Sequence, residues 1–153
     1  ELTALIDPLV EDWIERADAR AIDLGVEREA VRMVGDPTLL QELIANLMDN
    51  ALKYCDEGGK VSLRCAREEG QVCIEVDDDG PGIPREVREQ VFERFYRHAG
   101  TRASGSGLGL SIAREIVRGH GGSIAIDDGP DGRGTRVRVM LPIDGHHGKT
   151  AGR

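Results

Sequence analysis

Residues 36–54 read DPTLLQELIANLMDNALKY. Asp36 followed by Pro37 marks a helix N-terminus: a side-chain acceptor for the first free N–H groups, then a residue whose φ is already helical. At about 100° per residue, Leu39, Leu40, Leu43, Ile44, Leu47 and Ala51 form one apolar face. The pattern predicts a helix opening at Gly35-Asp36-Pro37 and running to about Lys53. Asn46 and Asn50 stand one turn apart on an edge of that face, and Lys53 lies one turn further on. A buried amide without a partner costs about 1–3 kcal/mol. Two amides in register therefore find partners in the core, lie exposed, or face a ligand. An amide oxygen is a hard neutral ligand suited to Mg²⁺, and lysine suits phosphate.

On the N-terminal side, Asp7-Pro8 repeats the cap-plus-proline signal. Leu9, Trp13, Ile14, Ala17, Ala21 and Leu24 follow at helical spacing, with Gly25 as the stop. Ala30–Val34 reads as a short strand. Beyond the central helix, Val61–Arg67 and Gln71–Asp77 read as a hairpin turning at Glu68–Gly70. Gly80-Pro81-Gly82 is a loop, and Arg85–Tyr96 has a helical pattern. A third helix is expected from about Leu108 to His120, ended by Gly121-Gly122. Strands Ser123–Ile126 and Arg136–Leu141 close the chain around a turn at 128–134. Residues 1–142 read as one domain and 143–153 as a disordered tail. Helices and strands mix without strict alternation, which predicts an α+β sheet with helices on one face.

Composition narrows the functional classes. The 153 residues are 39% hydrophobic and 31% charged, as in a soluble globular domain, and only five are aromatic, so the core is mostly aliphatic. A net charge of −8 argues against a nucleic-acid binder, which needs a basic face. An acidic chain that handles an anion needs a locally positive site. No apolar run approaches the ~18 residues of a membrane span, so no membrane contact by this domain is expected. Cys55, Cys65 and Cys73 are odd in number and form no C-x-x-C, which favours reduced thiols. The chain begins with Glu1, not Met, and is expected to be a piece of something longer.

Three further stretches carry chemistry. In VDDDGPGIP, residues 76–84, acids at a strand end run into a glycine turn. An EF-hand register fits poorly, because a strand and not a helix precedes it. The other reading is a carboxylate beside a backbone that a flat ligand approaches. Glycine permits the approach, and the carboxylate accepts from an exocyclic amine such as adenine N6. In GSGLGL, residues 105–110, Gly105, Gly107 and Gly109 lead into a helix whose free N–H groups suit phosphate. The spacing is not that of the dinucleotide fold. In VFERFYRH, residues 91–98, Phe92 and Phe95 are core anchors, while Arg94 and Arg97 are surface charges or γ-phosphate contacts. The protein-kinase motifs of the Ser/Thr/Tyr class are absent. Gly148-Lys149-Thr150 only looks like the end of a P-loop.

In this order the blocks resemble the ATP-binding catalytic domain of bacterial two-component sensor histidine kinases. Asn46–Tyr54 resembles the N box, Asp78–Gly82 the G1 box, Phe92–Arg97 the F box and Gly105–Leu110 the G2 box. Gly132–Thr135 resembles the last glycine box, and His120-Gly121-Gly122 also fits. The match covers about residues 1–142. It implies a two-layer α/β sandwich, the Bergerat fold, with a mixed, mostly antiparallel sheet covered on one face by three helices. It implies that Asn50 coordinates Mg²⁺, that Asn46 supports phosphates and metal, that Lys53 touches phosphate and that Tyr54 lies against adenine. Asp78 would accept from adenine N6, with Gly80, Gly82 and Ile83 in the loop beside the ring. Residues 98–104 would form a lid, and Gly105, Gly107, Leu108 and Gly109 would hold phosphate. Arg97 would approach the γ-phosphate, and Thr135 would support the adenine pocket. Asn46, Lys53 and Arg97 are the residues implied in catalysis.

Within the same superfamily the hydrolases carry a glutamate four residues before the metal asparagine, as base for water. Here that position is Asn46, and an amide cannot take the proton. The resemblance thus implies transfer of the γ-phosphate from ATP, with Mg²⁺, to a histidine on a separate dimerisation domain. A water-activating ATPase or a non-catalytic nucleotide-binding module are the alternatives. None of His98, His120, His146 or His147 sits in a phosphoacceptor context, and Cys55 stands where the family often has Ser or Thr. The implied partners are the protein's own dimerisation/phosphotransfer domain and a response-regulator receiver. The implied parent is a homodimer in the inner membrane, with this domain in the cytoplasm.

Overall fold

The structure, a computed structural model, describes residues 1–93, 109–130 and 132–144. The elements are α1 (Leu2–Ala19), β1 (Asp23–Arg28), α2 (Pro37–Tyr54), β2 (Lys60–Glu68), β3 (Gln71–Asp78), α3 (Gly109–Gly119), β4 (Ser123–Asp128) and β5 (Thr135–Pro142). Two single 3₁₀ turns, Arg85–Val87 and Gln90–Phe92, lie between β3 and α3. The five strands are ordered β1-β2-β3-β5-β4, with β1 parallel to β2 and every other pair antiparallel. This is the mixed, mostly antiparallel sheet with three helices that the resemblance implies.

Alternation along the strands separates the two faces. Val61, Leu63, Val72, Ile74, Val76, Val139 and Leu141 are buried and join the helices' apolar stripes in one core. On the other face, charges pair across strands. Glu75, only 5% exposed, accepts from Arg138 at 2.6 Å, and Arg64 lies 3.5 Å away. Arg138 also pairs with Glu68, and Arg136 grips Asp77 through two bonds of 2.8 and 3.0 Å. Carbon stems and paired charges thus cover that face without a second helical layer.

Two sequence expectations near the N-terminus are corrected. α1 starts at Leu2 and encloses Pro8, which had been expected to open it. Burial decides this: Leu2, Ile6, Trp13 and Ala17 form one stripe, each at most 2% exposed. The helix stops at Ala19 and not Gly25, with Ala21 at φ 55° and the Ile22 N–H donating to the Ala17 carbonyl. The strand is Asp23–Arg28, Gly25 included, and Ala30–Val34 is irregular. β1 is an edge strand with only Leu24 and Val26 half-buried, so its alternation is faint. The helix expected over Arg85–Tyr96 is replaced, up to residue 93, by the two 3₁₀ turns. On α2, Leu39 is 40% exposed, while Met48 and Leu52, not assigned to the apolar face, are buried. The Ile143 carbonyl accepts from the Val34 N–H.

Candidate functional site

Four element ends meet at the site: the C-terminal half of α2, the end of β3 with its glycine turn, the start of α3 and the start of β5. α2 is held at both ends. The Asp36 side chain accepts from the Leu39 N–H at 3.1 Å, with Pro37 in the first turn. At the C-terminus the Arg20 guanidinium donates to the Leu52 carbonyl and, at 2.5 Å, to the Cys55 carbonyl. A cation there satisfies orphan carbonyls and complements the helix dipole. Arg16 of α1 adds an ion pair to Asp49 at 2.6 Å.

Asn46 and Asn50 are half-buried. The Nδ2 of Asn46 is buried and has no hydrogen-bond partner among the described residues. Gly109, the first residue of α3, abuts the second amide: a Cβ built on it would lie 3.7 Å from Asn50 Oδ1. The Asn50 amide and the N-terminus of α3, 59 residues apart in sequence, therefore adjoin. Lys53 is exposed in the last turn of α2 and makes no ion pair among the described residues.

The three consecutive acids are sorted by the pleat. Asp77 faces outward onto Arg136. Asp79 turns back to accept from the Lys60 N–H at 2.8 Å, and the Cys55 thiol lies 3.6 Å from the same oxygen. Burial pushes that thiol up to about 11, so it stays protonated. Asp78 is left between them. It accepts from the Gly80 N–H at 2.9 Å through Oδ1, and Oδ2 carries no hydrogen bond among the described residues. Burial pushes Asp78 up to about 6, the Gly80 bond opposes this, and the charges of Asp79, Asp77 and Asp56 add to the rise. Thr135, 7% exposed, sits opposite Asp78 in the β3–β5 register.

The glycines here are packing requirements. Gly134 has φ 77°, and a Cβ on it would run into the Asp78 carbonyl. Gly82 has φ 82°, and its Cβ would lie 3.1 Å from the Gly134 carbonyl. A Cβ on Gly80 would meet the Tyr54 carbonyl at 3.0 Å. Three motifs far apart in sequence thus interlock through backbone: the end of α2, the G1-type turn and the last glycine box. Ile83 packs, partly buried, against the core. An open cleft of about 470 Å³ runs along Gly80–Arg88 and the β4–β5 turn, flanked by Arg85, Arg88 and Arg133. It shares Gly80, Gly82 and Ile83 with the site, but no residue of α2 lines it.

Among the described residues, Asn46, Asn50, Lys53, Tyr54, Asp78, Gly80, Gly82, Ile83, Gly109 and Thr135 thus occupy these converging ends. Arg97, Gly105, Gly107, Leu108 and the segment 98–104 lie outside the described residues. No cluster of three His, Cys, Asp or Glu side chains among the described residues could cage a metal. The donor set fits a metal that arrives with phosphate and water ligands, as Mg²⁺ does. It offers one amide oxygen at Asn50 and a buried amide donor at Asn46. Three contacts escaped the sequence reading. Arg114 lies over the Phe92 ring at 5.0 Å. Arg20 closes α2. The His120 ring bridges α3 to the Asp36 backbone. Only the last carried a sequence signal, in His120-Gly121-Gly122.

The family described as histidine kinase-, DNA gyrase B-, and HSP90-like ATPase matches residues 35–145. The sensor protein kinase PmrB of Pseudomonas aeruginosa is 36% identical over 142 residues, which cover 92% of this chain and 30% of PmrB. The signal transduction histidine-protein kinase/phosphatase MprB of Mycobacterium bovis is 41% identical over 141 residues, 88% of this chain and 28% of MprB. The chain therefore spans less than a third of the length of these curated relatives. A solved structure of the mycobacterial sensor histidine kinase MprB superposes with a TM-score of 0.84 at 34% identity, covering 94% of this chain and 97% of that one. Another, of histidine kinase ThkA in complex with response regulator protein TrrA, gives 0.78 at 28% identity, covering 94% of this chain and 40% of that one. With the family matched over most of its length and its fold shared with histidine-kinase catalytic domains, the chain belongs to the histidine kinase-, DNA gyrase B- and HSP90-like ATPases, as a histidine-kinase-type ATPase domain.

Proposed function

We propose that this domain binds Mg·ATP and donates the γ-phosphate to a histidine on a separate helical domain of a sensor kinase. One observation carries the reading: the buried, unpartnered Nδ2 of Asn46 lies one turn from Asn50, whose Oδ1 adjoins the start of α3. A protein does not leave a buried amide donor idle without cost, and a phosphate oxygen is the acceptor it lacks. Asn50 supplies the one protein oxygen to Mg²⁺, and Lys53 sits a turn further on for phosphate. Bound Mg²⁺ neutralises phosphate charge. Asp78 Oδ2 accepts from the adenine amine, Thr135 closes that pocket from β5, and Gly82 leaves room for the ring.

In such a site most of the rate comes from positioning and charge neutralisation. Asn46 stands where a hydrolase needs a base, and an amide takes no proton from water. That favours transfer over hydrolysis and over an idle binding module. Arg97 approaches the γ-phosphate in this reading, and residues 1–142 form the domain. The acceptor histidine lies on a dimerisation domain outside this chain, in a homodimeric parent. A receiver domain is the next acceptor, in keeping with the ThkA structure, which holds a response regulator. No described helix is long and apolar enough to cross a membrane. The domain is placed in the cytoplasm, on a parent anchored in the inner membrane.

The test mixes this chain, Mg²⁺ and γ-labelled ATP with the segment encoded just upstream. Acid-labile, base-stable label on that segment, dependent on this chain, is the expected result. Free phosphate without label would favour the hydrolase, and nucleotide binding with neither would favour the regulatory module.

A further inference from the structure

α2 and α3 meet at both ends. Gly109 opens α3 beside Asn50, and His120, just past its last residue, reaches the cap of α2. The two helices are therefore antiparallel, with Asp36 and Asn50 on one and His120 and Gly109 on the other. The His120 ring is only 7% exposed, and both its nitrogens are engaged. Nε2 lies 3.1 Å from the Asp36 backbone nitrogen, whose N–H it accepts. Nδ1 lies 2.9 Å from the Ile116 carbonyl, to which it donates. A backbone N–H can only donate and a carbonyl can only accept, so the two contacts together require the neutral ring with its proton on Nδ1. The fit is close: a Cβ on Gly35 would meet the ring at 3.0 Å and Leu40 Cδ1 at 2.8 Å. Gly121 at φ 76° and the Gly122 N–H bond to the Val117 carbonyl end α3 so that the ring points to α2.

From these contacts we infer that His120 is a positioning residue that fixes the axial register of α3 on α2, and so sets Gly109 against Asn50. The inference rests on the Mg·ATP reading of that junction. A slide of one helix along the other would separate the metal amide from the helix N-terminus, and the Asp36–His120 bond is a polar contact that resists it.

Glutamine and asparagine separate the two ring contacts. In His120→Gln, Oε1 stands near the place of Nε2 and accepts from the Asp36 N–H. In His120→Asn only the donor to Ile116 is kept. The Ile116 carbonyl also receives the His120 backbone N–H at 3.2 Å, so its loss in the glutamine variant is covered. Affinity for Mg²⁺ with a non-hydrolysable ATP analogue is measured by calorimetry, and exchange of the Asp36 amide by NMR. The glutamine variant is expected within about twofold of wild type at about pH 8, and the asparagine variant weaker by about tenfold. The Asp36 amide stays protected with glutamine and exchanges faster with asparagine. Wild type that fails to bind the nucleotide overturns the functional reading and this inference with it. Wild type that binds, with the two variants indistinguishable in affinity and in Asp36 amide exchange, overturns this inference alone.

Discussion

The strand end and the helix end of the site are built by opposite means. At the strand end, backbone closes on backbone: Gly134 lies against the Asp78 carbonyl, Gly82 against Gly134, and Gly80 under Tyr54. Of the acids there, Arg136 holds both oxygens of Asp77, the Lys60 N–H ties down Oδ1 of Asp79, and Asp78, joined to the Gly80 N–H through Oδ1, keeps Oδ2 without a hydrogen bond among the described residues. At the helix end the amide donor of Asn46 has no partner among the described residues, and Lys53 has no ion pair among them. In the proposed reading, one end is finished by the fold and the other by the nucleotide and its metal. Substitutions at the strand end should therefore act on folding, and those at the helix end on binding.

The largest expected effect breaks the strand end. Gly134→Ala combines a left-handed φ with a collision against backbone that cannot turn aside, and should cost at least about 3 kcal/mol. Gly132→Ala is the control. Its φ is 78°, but a Cβ there meets nothing within 4 Å, so it should cost only about 1 kcal/mol. Urea unfolding compares them, and equal losses would show that conformation alone, and not the interlock, matters. Asn50→Ala is the counterpart at the helix end. Mg²⁺-dependent affinity for ATP should fall on the order of 100-fold, with the unfolding midpoint hardly moved. Calorimetry with and without Mg²⁺ reads this, and unchanged affinity would sink the metal assignment.

Asp78 tests the one place where the strand end is left open. Its carboxyl is raised to about 6 by burial. Between the ordinary carboxylate range and about pH 6 the folded chain keeps a proton that the unfolded chain has lost. Stability therefore falls as pH rises through that window and stays lower above it. Asp78→Asn keeps an oxygen for the Gly80 N–H and removes the charge. It should gain on the order of 1–3 kcal/mol at about pH 8, and the gain should vanish below about pH 4. The same variant should lose ATP, because its amide turns a donor toward the adenine amine. Wild-type ATP affinity should weaken as pH drops through about 6. A variant that is no more stable at high pH, or that still binds, would remove Asp78 from this role.

The contrast between the ends also explains what could be read in the sequence. α2, the β2–β3 hairpin and α3 were legible because each carries a strong local pattern: Asp36-Pro37 with an apolar face, alternation around Glu69-Gly70, and the glycine entry at Gly109. The candidate site residues stood out in the sequence for a related reason. Two amides on the edge of a core face, and acids running into glycines, contradict what a core helix and a strand end need for folding alone. Where tertiary contact decides, the sequence was mute. Pro8 lies inside α1 because Leu2 and Ile6 are buried beyond it. β1 pairs parallel with β2 across the intervening α2, a partner distant in sequence, and its exposed edge leaves little alternation to read. The Arg20 cap and the His120 peg join residues 32 and 84 positions apart in sequence.

The smallest effect is the sharpest test of the helix end. Leucine has nearly the shape of asparagine without its donor. If Asn46 Nδ2 is idle until phosphate arrives, Asn46→Leu removes a desolvated donor and adds apolar burial, so the nucleotide-free domain should gain about 1 kcal/mol. Mg·ATP should then bind about tenfold more weakly, the worth of one lost hydrogen bond to a charged oxygen. Stability and affinity move in opposite directions only if the amide serves the ligand. Thermal unfolding without nucleotide, set beside calorimetry with it, separates the cases. A leucine variant less stable than wild type would mean that the amide serves the fold, and the division between the two ends would fail at the residue that defines it.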